Sequence, residues 1–335
     1  MATYTRIGVD TNVSVQAAPS AQSVPSGRAQ FVGVTQKGPM GHPYALTSIK
    51  DFERLFGGRV PFSSLYDEVR AYFNLGGAEA FITRVVGPAA TNGSVTLTDG
   101  ASESPKDVLT VEVIDPGQHS KDYTATVTVR PDQGFDLNVV DTSTGRTIAS
   151  FLANESPADL ANRAIGNAVV RIKDLGAGVT PAAVVKPISA GSDDRASITV
   201  ADYVKALDAH KDVPSGVAVI TPGLFAPVTA EKIGQHAAEH RKIYLTDLEP
   251  DTTVDEATAV GDQLMGKPNS HLVGLVYPAI RIPDLNQRTR TVGGAAYAAA
   301  ARAVTHTKTS PAQPPAGQAR AMVAPTSPVH KLDLD

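Results

Sequence analysis

The chain has no cysteine, no tryptophan and only four methionines, and aromatic residues make up 5% of its 335 positions. Without cysteine there can be no disulfides, thiolate metal ligands or cysteine nucleophiles, and the composition fits a chain matured in a reducing cytosol. No stretch approaches the roughly 18 apolar residues that a membrane span requires. The opening MATYTRIGVD lacks the apolar block of a signal peptide, so a soluble protein made in the cytoplasm is expected. An excess of charge is missing too. The net charge of -4 gives no whole-chain attraction to nucleic acid or an anionic membrane, and neither is expected as a partner. What remains, 42% apolar and 19% charged residues, is an ordinary globular composition, long enough for two or three domains.

The pattern divides the chain into five parts. In residues 1–24, Ile7, Val9, Val13 and Val15 alternate with small or polar residues, as in a strand, and a Pro/Ser-rich tether, AAPSAQSVPSG, follows. Such a tethered strand must find a sheet edge, in its own core or in a neighbour's. Residues 25–88 read as the first part of an α/β core. RAQFVGVT forms a strand, and Ser48 caps a helix with Asp51 in capping-box position and Gly57 as its stop. A second helix buries Leu65, Val69, Tyr72 and Phe73, and EAFITRVVG returns as a strand. Residues 89–190 change texture: VTLTDG, VLTVEVID, YTATVTVR and FDLNVVD alternate between turn clusters, which predicts an inserted β-rich sandwich or barrel. Residues 191–304 resume the α/β rhythm, and their wholly apolar strands (GVAVITP, IYLTD, LVGLVYP) are expected in a parallel sheet covered on both faces. Residues 305–335 are Pro-rich with little pattern.

Candidate chemistry is sparse. HAAEH, residues 236–240, has the H-x-x-E-H form by which some zinc hydrolases hold metal through two histidines and activate water with the glutamate. At about 100° per residue, His240 falls near the buried stripe of its helix, His236 at the margin and Glu239 outside it. Neither a third ligand nor a cleft is visible nearby, so a structural histidine pair is expected rather than a zinc site. Asp193 and Asp194 precede a helix, where carboxylates cap or stay solvated. Arg281, Arg288 and Arg290 form the densest basic run; without interleaved aromatics it reads as a solvated loop or as pairing with a neighbouring subunit. No G-x-S-x-G elbow, no phosphate-binding G-x-x-x-x-G-K-[ST] loop and none of the surroundings of a subtilisin-type triad occur. No catalytic residue and no cofactor are expected.

Taken in order, the segments resemble the contractile tail sheath family of bacteriophages and related injection machines. The likeness is carried by VPSGRAQFVGVTQKGPMGHPYALTSIKDFERLFGG, by YFNLGGAEAFITRVVG, by GSDD, by ITPG, by LVGLVYPAIRIPD and by APTSPVHKLDLD. No one of these motifs is specific; their order and spacing along nearly the whole chain are.

The resemblance implies a layered, mostly parallel α/β core of subtilisin-like topology without a catalytic triad, interrupted by an outward β-domain, with an extended N-terminal arm. It implies a non-enzymatic subunit that forms hexameric rings around a tail tube. The sheath contracts to drive the tube through a host envelope, and the subunit meets baseplate and tail terminator proteins. Ile7, Val9, Val13 and Val15 would then add a strand to a neighbouring subunit. The expected location is the virion tail, assembled in the host bacterial cytoplasm, with the sheath of a phage-derived injection system as an alternative. The family continues past the segment matched by APTSPVHKLDLD, so a missing C-terminal region is expected, by truncation, by division over two chains or in a shortened variant. A truncated chain would form tubes poorly.

Overall fold

The computed structural model describes residues 28–132, 134–208, 213–214, 216–283, 288–308 and 327–329. The predicted arm at Ile7, Val9, Val13 and Val15 and most of the Pro-rich end lie outside them. In chain order the strands and helices are β1 (Arg28–Gly33), β2 (Tyr44–Leu46), α1 (Ile49–Phe56), α2 (Leu65–Asn74) and β3 (Glu79–Arg84). Then come β4 (Ser94–Thr98), β5 (Asp107–Val113), β6 (Tyr123–Val129), β7 (Phe135–Asp141), β8 (Arg146–Asn154), α3 (Pro157–Arg163), β9 (Val170–Asp174) and β10 (Val184–Pro187). The rest are α4 (Val200–Asp208), β11 (Ala218–Phe225), α5 (Val228–Glu239), β12 (Ile243–Asp247), α6 (Val254–Met265), β13 (Val273–Val276), β14 (Ile280–Pro283), β15 (Thr289–Val292), α7 (Ala295–Lys308) and β16 (Ser327–Pro328).

A six-stranded sheet runs in the order β13-β12-β11-β1-β3-β2, parallel throughout except for the antiparallel edge strand β2. Its strands have apolar side chains on both faces because helices cover both. Ala29, Phe31, Ile82 and Ile220 point to one side, where they bury Phe52 and Phe56 of α1, Leu65, Val69 and Tyr72 of α2, and the alanines of α7. Val32, Val219 and Tyr244 point to the other, against Tyr203 and Leu207 of α4 and Ile233 and Ala237 of α5. The alanine run of α7 fits this role: Ala295, Ala296, Ala299, Ala300 and Ala303 recur on one face and let the helix lie close to the sheet and α2.

Local signals placed the helix ends. The Ser48 hydroxyl accepts the Asp51 N–H at the start of α1, and Gly57 ends it with φ 86°, a left-handed conformation that disfavours a side chain. Thr253 and Glu256 form a complete capping box on α6.

Between β3 and β11 the chain leaves this sheet. β4-β5-β9 and β10-β6-β7-β8 are two antiparallel sheets that share one core of Val95, Leu97, Leu109, Val111, Leu137, Val139 and Phe151, with Leu160 of α3 packed among them. Buried apolar residues alternate with half-buried ones along β4, β7 and most of β5, as half-covered strands require. A small sheet, β15-β14-β16, lies beyond the end of β13.

Candidate functional site

Helix α5 carries HAAEH, and α4 lies beside it. The His236 ring is buried, its Nδ1 donating to the Asp208 carboxylate at 2.8 Å, while Nε2 has no hydrogen-bond partner among the described residues. The rings of His236 and His240 lie 4.3 Å apart, tilted by 38°. Glu239 is exposed, where its carboxylate accepts from Gln235 Nε2 at 3.0 Å. Burial first, and the neighbouring His240 among other causes, pull the His236 pKa below the usual imidazole value, against the opposing pull of Asp208.

This corrects the sequence reading in two respects. His236 is the more buried histidine and His240 the half-buried residue that ends the helix, because α4 packs on the His236 side. A third ligand type and a groove are both present: Asp208, at the end of α4, faces the pair, and a groove of about 430 Å³ runs between the helices past Lys205, Lys232 and Glu239. Sequence spacing could not show either, since Asp208 lies 28 residues before His236 on another element.

The second polar centre was not foreseen. At the end of β3 the buried Arg84 guanidinium donates from Nη1 to the Gly38 carbonyl at 2.7 Å. Its Nη2 donates to the Pro116 carbonyl at 2.8 Å and to Asp193 Oδ1 at 2.7 Å. Asp193 Oδ2 accepts from Arg195 at 3.0 Å. Asp193 is therefore no solvated cap. Burial raises its pKa and the two arginines oppose this. Its neighbour Asp194 accepts locally from the Ser197 hydroxyl and, across 105 residues, from the Ala89 N–H. His119, buried close by, is held neutral: burial, then Arg84 and Lys37, push its pKa down to about 3.

A third centre lies under α2. Asp67 pairs with Arg59 and with Arg290, 3.4 Å away, and Arg290 Nη1 also donates to the Val60 carbonyl at 3.0 Å. Arg290 is thus an internal partner, not part of a solvated basic run. Glu68 and Asp247 are buried nearby. Asp247 Oδ1 accepts the Gly294 and Ala295 N–H groups at 2.7 and 2.9 Å and so holds the start of α7. A side chain at Gly293 would collide with the Asp247 carboxylate. Burial pushes the Asp247 pKa up to about 7 despite these donors, and burial with the Asp247 charge holds Glu68 well above the usual carboxylate range.

No protein-family model and no curated protein matches the sequence. Solved structures do match. The sheath tail protein of Listeria innocua aligns at TM-score 0.59 and 12% identity, over 83% of this chain and 56% of that one. The sheath tail protein of Desulfitobacterium hafniense aligns at 0.55 and 18%, over 88% and 60%. The contracted helical sheath of the anti-feeding prophage gives 0.37 and 10%, over 90% and 54%. The chain has the fold of a sheath tail protein. It spans 56% and 60% of the length of the first two structures. Within this sheath fold, three of the segments that carried the sequence resemblance meet at one side chain: the turn at Gly38, the strand end at Arg84 and the GSDD loop at Asp193.

Proposed function

We propose that the chain is a structural, non-enzymatic subunit of a contractile sheath, of a phage tail or a related injection system. It polymerises as hexameric rings around an inner tube and contracts to drive that tube through a cell envelope. The sheath fold carries this reading. The core sheet acts as a rigid body, and a trigger from the baseplate lets subunits exchange one packing for a shorter one of lower free energy. Residues 89–190 act as an inserted domain on the outside of the subtilisin-like core, and their separate hydrophobic core supports this.

The arm with Ile7, Val9, Val13 and Val15 joins subunits by strand addition. Suitable edges exist: β13 and β15 each end their sheets with one side unpaired among the described residues. Many such joints per ring keep the lattice attached while contacts between cores are exchanged. Tube, baseplate and terminator proteins are the remaining partners, and assembly takes place in the host bacterial cytoplasm.

The test is assembly. Two differently tagged copies of the full chain should copurify, and negative-stain micrographs of the protein or of its source particle should show rings or striated tubes. Aspartate at positions 7, 9, 13 and 15 should abolish copurification while leaving the subunit's melting temperature unchanged. A chain that stays monomeric at all concentrations, and is missing from striated particles of its source, would overturn the proposal.

A further inference from the structure

We propose that Asp208, His236 and His240 bind a divalent transition-metal ion of the zinc class, which fastens α4 to α5 on one face of the six-stranded sheet. Each of the three residues offers one ligand atom, and these atoms all lie within 4.8 Å of one another. Ligands about 2.0–2.1 Å from a tetrahedral ion sit roughly 3.3 Å apart, so the three side chains must close on the ion and the hydrogen bond between His236 Nδ1 and Asp208 must give way to it. Two imidazoles and one carboxylate form a donor set suited to zinc, nickel or copper, whereas magnesium and calcium prefer all-oxygen ligands.

One further feature favours an ion here. The groove between the helices gives access from solvent, and a water can fill the fourth position. Lys205 and Lys232 also line the groove, and their positive charge opposes any dication, so only an ion with strong bonds to imidazole and carboxylate outweighs it. Glu239 is turned to Gln235, and the inference concerns binding alone, with no reaction assigned. It holds whether or not the chain assembles into a sheath.

The experiment is a titration of the metal-stripped full chain with zinc chloride and, separately, magnesium chloride, followed by calorimetry and thermal melting. One equivalent of zinc should bind and raise the melting temperature, and magnesium should do neither. His240→Ala and Asp208→Asn should each weaken zinc binding at least tenfold. Both residues are partly exposed, so each variant should melt like the metal-free parent. His271→Ala, at an exposed histidine elsewhere, should bind zinc like the parent. Absence of saturable zinc binding, or parental affinity in both His240→Ala and Asp208→Asn, would overturn the proposal.

Discussion

Arg84 and Asp193 are 109 residues apart in the chain and meet in a buried ion pair at 2.7 Å. Arg84 ends the strand from which the chain leaves the large sheet, and Asp193 lies in the loop by which it heads back. The Pro116 carbonyl, in the turn between β5 and β6, shares the same guanidinium. One side chain therefore ties the core sheet to the two-sheet unit at the point where the chain passes between them.

Replacing Arg84 with methionine should destabilise the protein by about 3–5 kcal/mol, because it leaves Asp193 as a buried charge with one partner fewer and strands two carbonyls. Adding Asp193→Asn should recover part of that loss. Urea unfolding of the two single variants and the double variant gives the coupling; additive losses would show that the pair is not a unit.

Asp247 makes stability depend on pH. Its folded carboxyl keeps a proton up to about pH 7, whereas in the unfolded chain the proton leaves near pH 4. Between these values the native state binds more protons, so stability falls as pH rises, by at most about 1.4 kcal/mol per pH unit for one group. Glu68 acts in the same direction. Asp247→Asn keeps an oxygen for the Gly294 and Ala295 N–H groups and should flatten the slope. Melting temperatures at pH 5, 6, 7 and 8 check this, and an unchanged slope in the variant would refute it.

Elements were legible in the sequence where the cause is local. The Ser48 cap, the Gly57 stop and the alternation of β4 to β7 each act within a few residues and appear as read, although the Asp51 carboxylate accepts from the Ser48 hydroxyl instead of closing a capping box on the backbone. Phe73, expected in the buried stripe of α2, is only half-buried, while Asp67 and Glu68 on that helix are fully buried. Apolar neighbours on two sides and the arginines Arg59 and Arg290 paired with Asp67 enclose α2, which a single-stripe reading does not foresee. The polar centres were illegible for the same reason. Asp208 with His236, Arg84 with Asp193, and Arg290 with Asp67 are pairs set by tertiary approach, and no spacing in the chain announces them.

Lys242 is buried with its ammonium donating to Gln30 Oε1 at 2.9 Å, and burial brings its pKa down to about 8. The charged form is thus penalised in the fold. Above pH 8 the native lysine gives up its proton while the unfolded one keeps it to about 10.4, so stability should rise with pH across that window. Replacing the pair together by Gln30→Leu and Lys242→Met should leave the protein as stable or more so at pH 7, by up to about 4 kcal/mol, and should remove the alkaline rise. Thermal melts at pH 7 and 9.5 decide it; a destabilised double variant would mean that the pair contributes net stability.

Leu137 tests whether residues 89–190 form a unit of their own. It is fully buried in the core shared by the two smaller sheets, which contains no residue of the six-stranded sheet. Leu137→Ala should cost that core about 2–5 kcal/mol through lost contacts and the cavity left behind. If the insert is an independent domain, hydrogen exchange should accelerate in β4 to β10 and stay at parental rates in β1, β11 and β12. The joint at Arg84 would then transmit position without transmitting stability, as a rigid attachment between two separately folded bodies does. Equal acceleration in both sheets would mean that the chain unfolds as one cooperative body, and the reading of an inserted domain would fall.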